Sequence, residues 1–400
     1  MSNNIITKPT LVVNCGSSSI KYALISEDNK YRITGLAENL GLDDARIVHK
    51  CLEGKKTEVS IPGANHKAAL VQIMTLLGDQ SPIAVGHRVV HGGREFSSAV
   101  EVTPHVVEEI RRLKELAPLH NPANATGIDA VQAIHPELPQ VVVFDTAFHQ
   151  TMPPKAFRYA IPKEMYENDF IRRYGFHGTS HAYLSNRASQ LTDKEGPHGW
   201  LIAHLGNGSS ATAVYNGESL DTSMGLTPLE GLMMGTRCGD IDPSLHIHLK
   251  RTMGLNLEQI DTILNKESGL LGVSGVSNDM RTVESIANDE SHPDQKNAQL
   301  AVEMFCYRAG KYLASLSCAL PDLTGIIFSG GIGENSATIR ARILDVMRHF
   351  SLEIDTEKNS QLFGGEEGSF HGPSSKYELW VIPTDEELQI AEETRAVLGL

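Results

Sequence analysis

Apolar and polar positions alternate along the chain in a way that predicts helices and strands in turn. Apolar side chains recur at helical spacing after Thr103, after Pro122 and over about residues 299–320. Uninterrupted apolar runs at 141–144 and 325–328 predict strands whose two faces are both covered. Helices and strands that alternate in this way predict an α/β fold.

One pattern occurs twice. At 11–25 and again at 201–214, an apolar strand runs into a turn of small polar residues and a second strand follows. This repetition predicts two similar halves, each beginning with a β-hairpin. Small turn residues allow backbone N–H groups to approach a polyanion, but they are also ordinary in hairpin turns. Two such turns at equivalent places favour phosphate binding.

A third glycine-rich segment, residues 328–336, follows a predicted strand and precedes a predicted helix. A turn from strand to helix suits nucleotide binding, because helix N-termini attract anions. The segment is not a Rossmann fingerprint, since Ser336 occupies the third glycine position, and the chain has no Walker A loop.

Three segments place a cation or a histidine beside glycines: Arg88 in 86–93, His177 in 172–181 and Arg237 in 235–243. A lone arginine is most often solvated or ion-paired, but three such segments favour convergence on an anion. A zinc site at His177 and His181 is disfavoured, because the intervening residues lack the glutamate of a zincin helix.

Two acidic positions have both a structural and a functional interpretation. Asp145 ends a predicted strand, where α/β proteins place ligand contacts, but it could equally be a helix cap or a turn residue. Thr384 and Glu387 have the spacing of a capping box, which predicts a helix with Thr384 as its N-cap. On this interpretation a metal role for Glu386 is the less favoured alternative.

Length and charge limit the class of protein. The 400 residues predict two domains. Acidic residues outnumber basic ones by 49 to 35, giving a net charge of −14, which disfavours a general partner of nucleic acids or anionic membranes. The five cysteines are scattered without a CxxC pair, and no apolar run approaches a membrane span of about 20 residues. These features predict a reduced, cytoplasmic enzyme.

A set of motifs distributed from residue 14 to residue 387 resembles the acetate kinase family. The motifs are NCGSSSIKY, GHRVVHGG, APLHNP, FDTAFHQTMP, RRYGFHGTSH, HLGNGSS, DTSMGLTPLEGLMMGTRCGDIDP, SGGIGENS and PTDEE. The resemblance implies two duplicated actin-like (ribonuclease H-like) domains with a cleft between them. It places the N-terminal domain at 1–148 plus 382–400, with a returning C-terminal helix, and the second, nucleotide-binding domain at 149–381.

The resemblance also implies a role for each matching residue. Asn14 and Glu386 match the magnesium site, and Asp145, His177 and Arg237 match the catalytic groups. The substrate-binding positions are Arg88, Val90, Leu119 and Phe176. The nucleotide-contact positions are Ser17, Ser19, Lys21, His204, Leu205, Gly206, Asn207, Gly208, Asp279, Met280, Arg281, Gly331, Ile332, Gly333, Glu334 and Asn335.

The activity implied is reversible transfer of the γ-phosphoryl group of ATP to acetate, giving acetyl phosphate and ADP, with Mg²⁺ or alternatively Mn²⁺. Acetate is already ionised near pH 7, so we expect Asp145 to orient a cation or metal-bound water rather than to remove a proton. Family members are homodimers, so a homodimer is expected here.

Three alternatives stay open at this point. Propionate kinases share the pattern but tend to have alanine at the position of Val90, so acetate is preferred here. An actin-like or chaperone-like ATPase would share the phosphate-binding turns without needing Arg88, His177 and Arg237 together. An NAD-dependent dehydrogenase is the most distant alternative.

Overall fold

The computed structural model describes residues 7–118 and 120–400. Contacts divide the chain into two compact units. The first contains the chain up to Phe148 together with Asp385–Leu400, and the second is His149–Thr384. The domain borders implied by the family resemblance stay a prediction.

The first unit contains eight strands in one sheet, with helices on both faces. Its strands and helices up to Phe148 are β1 (Thr10–Cys15), β2 (Ile20–Ile25), β3 (Arg32–Glu38), β4 (Arg46–Lys50), β5 (Lys56–Ser60), α1 (His66–Leu77), β6 (Ala84–Val89), β7 (Val100–Glu101), α2 (Pro104–Arg112), α3 (Asn121–Ile134) and β8 (Gln140–Phe144). The strand order is β5-β4-β3-β2-β1-β6-β8-β7. Thr103 caps α2 as predicted, accepting a hydrogen bond from the Val106 N–H.

The second unit contains the other sheet. Its elements are α4 (Pro154–Phe157), α5 (Lys163–Glu167), α6 (Gly178–Leu191), β9 (Gly199–Leu205), β10 (Ser209–Tyr215), β11 (Glu218–Thr222), α7 (Leu245–Met253), α8 (Leu257–Lys266), α9 (Gly269–Ser274), α10 (Met280–Ala287), α11 (Gln295–Leu316), β12 (Gly325–Ser329), α12 (Gly330–Asn335), α13 (Ala337–Val346), α14 (Thr356–Gln361), β13 (Gly368–Ser369) and β14 (Glu378–Val381). The last helix, α15 (Glu386–Leu398), belongs to the first unit.

The two sheets repeat one arrangement, which confirms the duplication predicted from the two hairpins. In the first sheet β3, β2 and β1 are antiparallel, and β1, β6 and β8 are parallel. In the second sheet β11, β10 and β9 are antiparallel, and β9, β12 and β14 are parallel. The order of these five strands is the same in both sheets.

The central strands are largely apolar because helices cover both of their faces. In β1, Leu11, Val13 and Cys15 pack in the cluster that contains residues of α1 and α3. The intervening Val12 packs instead with Ile390 and Ala391 of α15. Polar side chains are therefore concentrated near the ends of these strands.

Two predictions of secondary structure differ from what the structure shows. The long helix begins at Gln295 rather than near residue 299, because a polar first turn hides a helical start whose Ala298 is fully buried. The segment 328–336 was predicted to be a turn, but six of its residues form the short helix α12. Among the described residues, no helix has the length and apolar character that a membrane span requires.

The packing of α3 on β1 can be tested at Gly127. A Cβ built on Gly127 would lie far inside contact distance of Cys15 Sγ. We expect Gly127→Ala to lower the free energy of unfolding by about 1–3 kcal/mol through overpacking. In a Cys15→Ala background the added methyl group replaces the sulfur, and alanine is favoured over glycine inside a helix. The substitution should then cost nothing. Urea unfolding of the four variants measures this, and an equal cost in both backgrounds would contradict it.

Candidate active site

The first turn, residues 16–19, joins β1 to β2 and carries the first group of predicted site residues. The Gly16 N–H donates to the Ser19 carbonyl over 2.8 Å, and the Gly16 carbonyl accepts from His66 Nε2 over 2.7 Å. A Cβ at Gly16 would meet Ser19 Oγ at 2.9 Å, so a side chain there would require the Ser19 hydroxyl to move. Asn14 and Lys21 are paired across the strands below the turn.

The start of α15 approaches this hairpin through Lys21, whose Nζ forms an ion pair with Glu387 Oε1. Burial alone would raise the pKa of Glu387, but Lys21 and Arg32 together lower it. The predicted capping box is therefore wrong. Asp385 is the N-cap, accepting from the Leu388 N–H over 3.0 Å, because Glu387 is occupied by Lys21.

Arg88 on β6 lies among carboxylates. It donates through Nε to Asp145 Oδ1 over 2.9 Å and through Nη2 to Oδ2 over 2.6 Å, a bidentate pair. Glu386 Oε2 lies 3.9 Å from Arg88 Nε. Burial alone would lower the pKa of Arg88, but Asp145, Glu386 and Glu387 outweigh it, so the pKa lies above its ordinary value. Asp145 is almost fully buried, with 3% of its side chain exposed.

Asn124 is a residue of this site that the sequence interpretation missed. Its Nδ2 donates to the Cys15 carbonyl over 2.8 Å, and its Oδ1 accepts from the Val90 N–H over 3.2 Å. The buried amide of Asn124 therefore links the base of the first turn to the segment that follows β6. Asn121, one helical turn earlier, holds the backbone of His91 in the same way. The signal was two asparagines at i, i+3 at a helix start.

The predicted acetate pocket is described only in part. Val90 is buried in the first unit, with 7% exposure, and Phe176 is buried in the second, with 2%. Leu119 lies outside the described residues.

The second turn, residues 206–208, joins β9 to β10. The Gly206 N–H donates to the Gly208 carbonyl over 3.1 Å. A Cβ on Gly208 would lie 3.5 Å from Arg237 Nη1 and 3.5 Å from His177 Nε2. The two predicted catalytic side chains of the second unit therefore both lie beside this turn.

Two neighbouring side chains hold His177 in place, although its backbone conformation is unfavourable. Its backbone is left-handed (φ 56°, ψ 26°), a conformation that costs a non-glycine residue of order 1 kcal/mol. His149 Nε2 donates to the Phe176 carbonyl over 2.9 Å and so supports the preceding peptide. The side chain is directed by Ser210, whose Oγ lies 3.0 Å from His177 Nδ1.

Arg237 differs from Arg88 in having no carboxylate within ion-pair distance among the described residues. Its Nη1 donates to the Pro228 carbonyl over 3.2 Å, and the Met234 sulfur lies 3.8 Å away. Burial lowers the pKa of Arg237 below its usual value. A partly buried guanidinium without a counter-ion favours binding of an anion.

A cavity of about 860 Å³ opens in the second unit beside the second turn. Its lining includes the predicted nucleotide residues Gly206, Asn207, Asp279, Met280, Arg281, Gly331, Ile332 and Asn335. The sequence interpretation missed the other lining residues, Asn278, Glu284, Ser285, Asn288, Ser336, Ala337 and Thr338. The N-termini of α10 and α13 both begin in this lining, an arrangement that presents backbone N–H groups to a ligand.

The remaining predicted nucleotide residues do not line this cavity. Leu205 is fully buried, and Gly333 is buried against β12. His204 Nδ1 lies 2.8 Å from Ser180 Oγ. Glu334 Oε1 accepts from the Gly330 N–H over 2.9 Å and from the Thr384 N–H over 3.1 Å, and so fixes the chain before α15.

Arg340 on α13 is a second residue that the sequence interpretation missed. It is fully buried, and its Nη1 donates to the carbonyls of Gly333 and Glu334 over 2.8 and 3.1 Å. Its other donors reach Asn359 and Leu362. Burial lowers the pKa of Arg340 to about 10, so it stays charged at neutral pH. The guanidinium thereby satisfies the last carbonyls of α12, beside the cavity.

No group of three or more His, Cys, Asp or Glu side chains suited to a metal ion occurs in the described part of the chain. Asn14 and Glu386 nevertheless fit Mg²⁺, which is commonly bound through one or two carboxylates with waters and substrate phosphates. Glu386 would provide the carboxylate, and Asn14 would provide an amide oxygen at the base of the first turn.

Comparison with known proteins assigns the chain to a family. A model of the acetokinase family matches residues 9–392. The chain belongs to the acetokinase family. An acetate kinase of Pseudomonas aeruginosa (strain LESB58) is 52% identical over 393 residues, 97% of this chain and 98% of the relative.

Solved structures of the family agree with the fold. An acetate kinase from Porphyromonas gingivalis superposes with a TM-score of 0.92 at 40% identity, and a propionate kinase from Francisella tularensis subsp. tularensis SCHU S4 with 0.91 at 43%. Each comparison covers 98% of this chain and 100% of the other. The prediction of two duplicated actin-like α/β domains is confirmed.

The support that Arg340 gives α12 can be tested with Arg340→Lys. Lysine keeps the charge but cannot make the forked set of hydrogen bonds. We expect a loss of about 2–4 kcal/mol in the free energy of unfolding, because buried carbonyls lose their partners. Binding of ADP, measured by calorimetry, should also weaken. Arg348→Lys, at an exposed arginine, is the control. Unchanged ADP affinity in Arg340→Lys would show that α12 does not depend on Arg340.

Proposed function

We propose that this chain is an acetate kinase, which transfers the γ-phosphoryl group of ATP directly and reversibly to acetate, giving acetyl phosphate and ADP. The observation that carries the proposal is the convergence of Arg237 and His177 on Gly208, in a turn that also lines the nucleotide-sized cavity. The relatives named acetate kinase support the choice of acceptor.

Phosphoryl transfer to acetate requires neutralisation of negative charge rather than a general base. Acetate is ionised at neutral pH, so its carboxylate can attack the γ-phosphorus without losing a proton. The barrier comes from bringing two anions together and from charge on the equatorial phosphoryl oxygens. Arg237, which has no carboxylate partner in the described part of the chain, supplies positive charge at that point, and His177 supplies an N–H donor.

Arg88 and Asp145 form one functional unit in this proposal. Arg88 binds the substrate carboxylate or phosphate, and the bidentate pair with Asp145 fixes the plane in which its remaining N–H groups are directed. Asp145 is engaged through both oxygens. This geometry supports an orienting role for Asp145 over proton abstraction.

Asn14 and Glu386 would hold Mg²⁺, with Mn²⁺ as the alternative ion. The metal, when bound, neutralises negative charge on the phosphates of the nucleotide. Ser17, Ser19 and Lys21 contact phosphate at the first turn, Lys21 while paired with Glu387. The nucleotide base and ribose are assigned to the cavity beside α10 and α13.

Val90, Leu119 and Phe176 are the proposed limits of a small apolar acetate pocket. The similarity to a Francisella propionate kinase makes propionate the second candidate substrate. One methylene group changes specificity by only about 1–3 kcal/mol, so some turnover of propionate is expected. A cytoplasmic location and a homodimer are part of the proposal.

The assay that tests the function uses hydroxylamine to trap acyl phosphates. The purified chain with MgATP and acetate should form acetyl hydroxamate, and kcat/KM should be higher with acetate than with propionate. His177→Gln, which alters the proposed catalytic group, is the control that measures background formation of hydroxamate. ATP hydrolysis without hydroxamate would favour an actin-like or chaperone-like ATPase, and a higher kcat/KM with propionate would reassign the substrate.

The role of Asp145 is tested with Asp145→Asn. The amide can accept from only one side of Arg88, so we expect kcat to fall by at least roughly tenfold, by the same factor from pH 6 to pH 9. Glu367→Gln, which breaks the bidentate Arg187–Glu367 pair elsewhere, should leave kcat unchanged. A loss that follows a single ionisation, with normal Mg²⁺ affinity, would instead indicate a general base.

A further inference from the structure

Ser210, on β10, lies between two histidines. Its Oγ is 3.0 Å from His177 Nδ1 and 2.7 Å from His181 Nε2. A hydroxyl group has one proton and two lone pairs, so it can donate to only one of the two rings. When its proton is used in this way, the other ring must donate to the hydroxyl oxygen. Two arrangements of the protons meet this condition, and they differ in which nitrogen of the His177 ring carries the N–H.

The surroundings of His181 determine which of the two arrangements is favoured. Its side chain is fully buried, and its Nδ1 has no hydrogen-bond partner among residues 7–118 and 120–400. Burial, with His149 and His204 nearby, lowers the pKa of His181 well below its ordinary value, so the ring is neutral. The ring centroids of His149 and His204 lie 5.7 and 6.4 Å from that of His181.

A neutral imidazole has a single N–H. On Nδ1 that N–H would be buried without an acceptor, at a cost of about 1–3 kcal/mol. On Nε2 it donates to Ser210 Oγ, and only a lone pair is left without a partner. The second arrangement is the favourable one, and it leaves the Ser210 hydroxyl proton for His177 Nδ1.

We propose, building on the proposed phosphoryl transfer, that Ser210 is a positioning residue that accepts from His181 Nε2–H and donates to His177 Nδ1, so that His177 acts as a neutral Nε2–H donor. His177 Nε2 is the atom on the Gly208 and Arg237 side of the ring. The donor therefore faces the site whether or not the ring is protonated.

The surroundings of His177 agree with a neutral ring. The His204 ring lies tilted against it with ring centroids 4.5 Å apart, and the Arg237 guanidinium lies beside the same glycine, Gly208. A proton added to Nδ1 would leave Ser210 Oγ facing two ring donors, so that the hydroxyl proton could no longer donate to either ring. The phosphoryl group thus meets one full positive charge, on Arg237, and one uncharged donor.

The direct test is nitrogen NMR of the full chain with ¹⁵N-labelled histidine, the His177 signals being assigned with His177→Gln. We expect His177 and His181 both to show a protonated Nε2 and an unprotonated Nδ1 from pH 6.5 to pH 8.5. An imidazolium, or an Nδ1–H tautomer, at His177 near pH 7.5 would overturn the proposal. This readout needs no turnover, so it can fail or succeed separately from the hydroxamate assay.

A kinetic test separates positioning from stability. Ser210→Ala should lower kcat roughly tenfold at pH 8 with an ordinary KM for ATP. Its kcat should rise towards pH 6.5, because protonation restores the Nε2–H, whereas the wild type should be flat over this range. Ser210→Thr keeps the hydroxyl and should retain most activity.

Thr212→Val is the matched control. It deletes the next buried hydroxyl on the same face of β10, which bonds Thr222 over 2.8 Å and contacts no histidine. Its kcat should be that of the wild type. Equal losses in Thr212→Val and Ser210→Ala, or a Ser210→Ala variant with wild-type kcat and pH dependence, would assign Ser210 a structural role only.

Discussion

Both faces of the central strands are covered by helices, and this constraint determines where chemistry can occur in each unit. Within β1 and β9 every second side chain packs on one helical layer and the intervening ones on the other. Polar groups can therefore reach a substrate only at strand ends. The first turn follows β1, Asp145 follows β8, the second turn follows β9, and α12 follows β12. The same strand order in both units places two glycine-rich turns at equivalent positions.

Much of this could be predicted from the sequence because the signals are local. The apolar runs, the cap at Thr103 and the repeated hairpin each depend on residues close together in the chain. The errors arose where a distant residue decides. The spacing of Thr384 and Glu387 satisfies a capping box, but Lys21, from the other end of the chain, takes the Glu387 carboxylate, and Asp385 becomes the cap.

The missed residues share a physical feature. Asn124, Arg340 and Ser210 are buried, and each of them bonds atoms that belong to other segments of the chain. Sequence patterns indicate the residues that face a ligand, because glycines and charges stand out against an apolar background. The groups that hold those residues in place resemble ordinary helix-start, helix or strand positions. Their roles become visible only from atomic distances.

The two proposed active-site arginines show how burial and pairing divide the work of neutralising charge. Both oxygens of Asp145 hold the Nε–Nη2 edge of Arg88, so its net local charge is small and its geometry is rigid. In the described part of the chain Arg237 donates to a carbonyl and a thioether and to no carboxylate, so its charge is available to an incoming anion. A rigid, compensated arginine suits recognition of a planar carboxylate or phosphate in the ground state. An uncompensated one gains most when charge develops on the phosphoryl oxygens, which is the condition for lowering the barrier rather than only tightening binding.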